Sequence, residues 1–315
     1  MQWQQDDSHD MSTAACKEMI LRLRGAGVRI IYFVGGDVFL RDDLFELIAF
    51  AARIGLRTHL TVNGFTVTED VARALASSRV ASLHFSLDTL SSDFDRIRGV
   101  SDASAKVLSA IERVRANSRT RIRLGITTTI MKRTIPAVPD VVRFALSQNL
   151  TVFFNLINFS HDFFATDFSE EQYILNAAEK QALRDLVAWL KRKRVEHPRL
   201  MPRLAHLDWI PRYFEDVRQP GTPCVQTMLK VCVQANGDVR PCCSMEIAGN
   251  LQTQSPENIF TSESYLAPIR RALRKECPGC SCRYALNLDV DPLSWARELW
   301  LRIGMACRPT EGGEA

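Results

Sequence analysis

Tyr32-Phe33-Val34-Gly35-Gly36-Asp37-Val38-Phe39-Leu40-Arg41 is the stretch on which the reading of this chain turns. Its first residues close a β-branched and aromatic run, Arg29–Val34, and two glycines then interrupt that run just before a carboxylate. Working outward, runs of the same kind recur at Arg57–Val62, Val80–Ser86, Arg121–Ile130 and Thr151–Ile157. Between and before them leucine, alanine and valine repeat at three- and four-residue steps over Ala14–Arg24, Asp42–Ile54, Glu69–Ser77, Ser104–Asn117 and Val138–Gln148. Five strands alternating with helices predict a parallel sheet with right-handed crossovers. A barrel and an open doubly wound sheet both satisfy the count.

In such sheets ligands bind at the C-terminal ends of the strands, so the residues after each strand carry the functional information. They are Gly35-Gly36-Asp37, Asn63-Gly64, Ser86-Leu87-Asp88, Thr127-Thr128-Thr129, and Asn155 with Asn158. Small and polar groups gathered on one rim suit a polar organic cofactor with amine, carboxylate and hydroxyl groups. Each has a plainer role as well, since Asn-Gly makes turns and Ser or Asp after a strand caps helices.

The other feature is sulfur. Seven of nine cysteines lie in one C-terminal stretch: Cys224, Cys232, Cys242, Cys243, Cys277, Cys280 and Cys282. The N-terminus has no basic segment followed by an apolar core, and no run approaches the roughly 18 apolar residues of a membrane span. The chain is therefore expected in the cytoplasm, where clustered thiols hold metal more often than they form disulfides. A net charge of +4 over 315 residues is too weak to argue for nucleic acid as a partner, and without an apolar span no membrane partner is expected. The basic run Lys191–Arg194 is read as a solvated helix end.

The decade quoted first resembles the strand and Gly-Gly-Glu-Pro motif of radical S-adenosylmethionine (SAM) enzymes. Ser86–Asp88 and Asp95–Gly99 are similar to that family's next rim segment. The resemblance spans residues 13–158 and implies a partial (βα)6 TIM-like barrel within an α/β fold. It also implies that Gly35, Gly36 and Asp37 hold the methionine end of S-adenosylmethionine, with Asn63 and Ser86 near its carboxylate or ribose. Two departures stand out. Asp37-Val38 replaces Glu-Pro, shortening the carboxylate by a methylene, and the family's Cys-x3-Cys-x2-Cys loop for the catalytic [4Fe–4S] cluster is absent. Cys16 stands alone in a helical pattern, as a helix-face thiol. The expectation is that Met1 lies downstream of the true start, a degenerate relative being the alternative.

At the other end, Cys224, the strand Val231–Ala235, the Asn236-Gly237 turn and a second strand into Cys242-Cys243 form a strong hairpin signal. This segment resembles the SPASM or twitch extension of the same family, which implies an auxiliary [4Fe–4S] cluster on Cys224, Cys242, Cys277 and Cys280. Cys232, Cys243 and Cys282 are then spare. Zinc is the alternative metal, because spacing alone does not separate it from iron and sulfide.

The expected organisation is a partial barrel over 1–158, a helical connection over 159–220 with a helix from Ser169 to Arg194, a cysteine-rich unit over 221–285, and a tail over 286–315. That tail carries an apolar helix over Pro292–Gly304. No catalytic residue is assigned. The resemblance implies hydrogen-atom abstraction from a peptide or small molecule, served by an electron donor such as flavodoxin or ferredoxin. Without the catalytic-cluster loop the chain as written is expected to be inactive. A non-catalytic peptide-binding protein with a metal-stabilised end is the alternative.

Overall fold

The structure is a computed structural model, described here for residues 10–117, 122–157, 174–215 and 224–276. The expected ligands Cys277 and Cys280, together with Cys282, Asn158 and the tail helix, lie outside the described residues.

Helix α1 (Thr13–Gly25) begins at Ser12, whose hydroxyl accepts from Ala15 N. It is followed by β1 (Ile30–Phe33), a 3-10 turn over Val38–Leu40, α2 (Leu44–Arg53), β2 (Arg57–Val62), α3 (Glu69–Ser77) and β3 (Ser82–Ser86). Then come α4 (Asp93–Arg98), α5 (Ala103–Asn117), β4 (Arg123–Ile130), α6 (Val138–Ser147) and β5 (Thr151–Leu156). The five strands are parallel and stand in chain order, β1-β2-β3-β4-β5, with β1 and β5 at the edges among the described residues. This is the open, partial form of the expected barrel.

Side chains alternate across the sheet. Leu60, Val62, Leu83, Phe85, Ile126 and Val152 are buried in the core with the apolar stripes of α2, α3, α5 and α6. The opposite face is polar and borders a cleft of about 2970 Å³.

Helix α7 (Ala177–Glu196) starts eight residues later than expected, because the Asn176 side chain and Glu179 form a reciprocal capping box at that point. Arg194, expected to be solvated, is buried. The proline-punctuated stretch after it contains α8 (Leu204–Glu215), which keeps Pro211 within the helix and buries Leu207, Ile210, Tyr213 and Phe214. The C-terminal unit holds α9 (Gln226–Leu229), the antiparallel strands β6 (Cys232–Val233), β7 (Asp238–Arg240) and β8 (Gly249–Asn250), then α10 (Pro256–Phe260) and α11 (Glu263–Leu273). Gly237 takes φ +87° in the expected Asn-Gly turn, a conformation few other residues tolerate.

Candidate cofactor and metal sites

Gly35, Gly36 and Asp37 follow β1 and line the cleft. Asp37 caps the 3-10 turn, accepting from Phe39 N at 3.1 Å, and its other oxygen accepts from the Thr66 hydroxyl at 2.6 Å. Two bonds leave a carboxylate with spare acceptor capacity, so the side chain is fixed without being used up. At the end of β2, Asn63 donates to the Gly36 carbonyl at 3.3 Å and accepts from Phe65 N at 2.9 Å. Asn63 therefore braces the Gly-Gly turn from the neighbouring strand. Ser86 is half-buried at the end of β3.

Nothing inside the fold demands glycine at position 35. Its φ is not in the left-handed region, and a Cβ built there would meet no atom within 4 Å. Exposed backbone beside a fixed carboxylate fits the amino-acid end of S-adenosylmethionine, for which close approach is the requirement a Cβ would violate.

The neighbouring rim segment is structural. Asp88 is buried, accepts from Thr129 N at 2.7 Å and pairs with Arg98 at 2.9 Å. Asp95 caps α5 through Asp102 N and Ala103 N, both at 2.9 Å, and Gly99 ends α4 with φ +67°. These groups tie the ends of β3 and β4 to α4.

Further into the cleft the sequence reading missed a polar cluster. His59 Nδ1 lies 2.6 Å from Ser82 Oγ, and the Tyr32 ring stacks on His59 at 4.9 Å. His84 Nδ1 lies 3.4 Å from Thr127 Oγ1. Burial first, then the charge of His59 and Arg123, pushes His84 down to about 4. His59 is lowered too, by burial and by Arg57 and Arg123. The signal was available: His59–Val62 and Ser82–Ser86 alternate polar and apolar residues, and their polar members share one face.

Cys16 occupies the buried face of α1, with Arg41 Nη2 donating to its sulfur at 3.3 Å. It is the helix-face thiol expected. Cys224 and Cys242 are buried together with Met245 and Ala272, and Cys243 packs against them. The Cys242 and Cys243 sulfurs are 3.9 Å apart. Hydrogen bonds from the Cys232 and then the Cys242 thiols pull Cys243 down, while the same contacts and burial push Cys232 and Cys242 up. Among the described residues no three Cys, His, Asp or Glu side chains are arranged to hold a metal. The donors that are described fit a soft, thiolate-held centre: buried sulfurs against apolar walls. Cys224 N also donates to Ala272 O at 3.2 Å, so the last turn of α11 reaches this pocket five residues before Cys277.

Comparison with known proteins bears on both ends. The sequence model of the radical SAM superfamily matches residues 1–145, and SPASM, an iron–sulfur cluster-binding domain, matches residues 224–283. An AdoMet-dependent heme synthase of Oleidesulfovibrio alaskensis is 32% identical over 142 residues, 45% of this chain and 35% of that protein. A PqqA peptide cyclase of Xanthomonas euvesicatoria is 26% identical over 285 residues, 87% of this chain and 73% of that one. The solved structure of anSMEcpe with bound AdoMet and the Cp18Cys peptide superposes with a TM-score of 0.62 at 15% identity, covering 94% of this chain and 90% of that one. That likeness concerns the fold. No described helix is long and apolar enough to cross a membrane.

Proposed function

We propose that this chain, which belongs to the radical SAM superfamily and carries a SPASM iron–sulfur segment, takes part in modifying a peptide by hydrogen-atom abstraction. What supports the reading is that one cleft is bordered by Gly35–Asp37 on one side and by Cys232 of the cysteine-rich unit on the other. A relative that is a PqqA peptide cyclase and a neighbour holding the Cp18Cys peptide support a peptide, whereas the relatives that are AdoMet-dependent heme synthases support a small molecule as the second reading.

The groups that would do this are assigned residue by residue. Gly35 and Gly36 admit the methionine end of S-adenosylmethionine to the backbone, and Asp37 accepts from its ammonium. Asn63 and Ser86 stand toward its carboxylate or ribose. Cys224, Cys242, Cys277 and Cys280 hold an auxiliary [4Fe–4S] cluster. S-adenosylmethionine would supply a 5′-deoxyadenosyl radical only on receiving an electron from a catalytic [4Fe–4S] cluster, whose three-cysteine loop these residues lack. The reductant of that cluster would be a flavodoxin or ferredoxin, and the auxiliary cluster would supply a one-electron acceptor. These 315 residues contain no Cys-x3-Cys-x2-Cys. Taken alone they are expected to bind the auxiliary cluster and peptide without cleaving the cofactor, which is also what a non-catalytic peptide binder would do.

Anaerobic reconstitution with iron and sulfide tests the assignment. The expected content is about four irons and four sulfides per chain, largely lost in the Cys277→Ala/Cys280→Ala variant and unchanged in Cys16→Ala. No 5′-deoxyadenosine should form above a protein-free control. Stoichiometric zinc without sulfide would reject the cluster, and turnover would show that other residues hold the catalytic one.

A further inference from the structure

The end of the sheet opposite Gly35–Asp37 is densely cationic. Arg57 and Arg123 are the first residues of β2 and β4, and Arg29 immediately precedes β1. Arg199 joins them, because Leu200 O accepts from Val152 N at 2.7 Å and so lies beside the start of β5. Strand alternation puts Arg57 on the face of His59 and Thr61, and the pairing of Arg123 with Ser82 puts it on the same cleft face. Arg29, Arg123 and Arg199 line the cleft.

None of these four makes an ion pair with a described carboxylate. Arg29 donates only to the carbonyls of Arg24 and Val28. Residues 26–29, 54–57, 78–82 and 148–151, which lead into β1, β2, β3 and β5, contain no Asp or Glu. The only acids among the described cleft-lining residues are Asp10 and Asp37. Elsewhere some arginines pair with carboxylates, Arg96 with Asp93, Arg143 with Asp140 and Arg271 with Glu246, and others, Arg24, Arg113 and Arg240, meet backbone carbonyls. Like charges gathered at the mouth of a low-dielectric cleft repel one another, and an anionic ligand relieves that repulsion. The lowered His59 and His84 lie in the same positive field.

The shape selects the kind of anion. About 2970 Å³ is roughly three times the upper volume of a site for a drug-sized molecule. The cleft also runs along two strands that are sheet edges among the described residues, β1 and β6, whose backbone groups suit an extended chain. We infer that the arginines at the strand starts grip Asp or Glu side chains of the peptide substrate, while the residue to be modified lies toward Gly35–Asp37. The inference rests on the peptide reading above. Six residues of β2 span about 17 Å at roughly 3.3 Å per residue, so an extended peptide would carry its carboxylate about five residues from the reacting position.

Fluorescence anisotropy on the full chain tests this without turnover, using labelled Glu-Gly-Glu-Gly-Glu-Gly and its Gln and Lys counterparts. The Glu peptide should bind at least ten-fold tighter than the Gln peptide, less so as sodium chloride is raised. Arg57→Gln/Arg123→Gln should remove that preference. Arg96→Gln/Arg143→Gln should keep it, with melting temperatures confirming that both variants fold. Equal affinity for Glu and Gln peptides, or a preference retained in Arg57→Gln/Arg123→Gln, would overturn the inference and leave the peptide reading standing. If no peptide binds, the peptide reading itself falls. Arginine-dependent binding of butanetetracarboxylate without the Glu peptide would replace the peptide by a small polycarboxylate.

Discussion

Gly35 and Asp37 separate what the fold needs from what a ligand needs. A Cβ at position 35 has open space around it and no φ penalty, so Gly35→Ala should leave the melting temperature unchanged or slightly raised, through lower entropy of the unfolded chain. If a cofactor approaches that backbone, the same methyl group should weaken S-adenosylmethionine binding measured by calorimetry. Asp37→Asn keeps an acceptor for Phe39 N and a partner for Thr66 while removing the charge. It should cost about 1.5–3 kcal/mol of cofactor binding, the scale of a charge-assisted hydrogen bond, with little loss of stability. Unchanged affinity in both variants would mean that Asp37 only caps the turn. The Gly-Gly-Asp signal was legible in the sequence because strand, break and acceptor are consecutive. Its brace was not, because Asn63 and Thr66 reach it from beyond the next strand.

At the level of elements, β3 and β4 meet through an imidazole lying over a glycine. A Cβ at Gly125 would collide with the Thr151 hydroxyl and come within 2.8 Å of the Thr151 carbonyl and 3.0 Å of His84 Nε2. Gly125→Ala should therefore cost about 1–3 kcal/mol by overpacking. The same burial makes His84 a pH-dependent element of stability. Its folded pKa, about 4, lies below the unfolded value of 6.5, so the unfolded chain takes the proton first. Stability is whole above about pH 6.5 and falls by roughly 3 kcal/mol as pH drops toward about 4. His84→Asn should flatten that part of a denaturation-versus-pH curve, and an unflattened curve would place the titration elsewhere. Element existence was legible where the period was clean: five strands and five helices of the sheet region fall within a few residues of expectation. It failed where local signals mislead. Pro211 hides α8, whose apolar stripe overrides it, and the Asn176 capping box moves the start of α7 away from the apolar pattern.

Over the whole molecule, α1 is shared between two cores, a fact with no local signature. Cys16 and Ile20 pack with Leu47, Ala51 and Leu56 beside the parallel sheet, whereas Leu23 packs with Val239, Leu251 and Ile259 of the C-terminal unit. Arg22 donates to the Leu251 carbonyl at 2.9 Å and to that of Gln254, and Met11 N donates to Ala235 O at 2.9 Å. A metal held by the cysteines would stabilise β6–β8, and through them one face of α1, since ligand binding and local folding are coupled. Chelating the metal from reconstituted protein should therefore raise amide hydrogen exchange in β6–β8 and in α1 together, while β2–β4 stay protected. Arg22→Ala removes two hydrogen bonds to carbonyls, worth about 1–3 kcal/mol in sum, and should weaken that link. In this variant chelation should loosen β6–β8 with a smaller change in α1. Exchange in α1 that is indifferent to metal in the unsubstituted protein would show that the helix belongs to the parallel sheet alone, and that the two cofactor regions do not communicate through it.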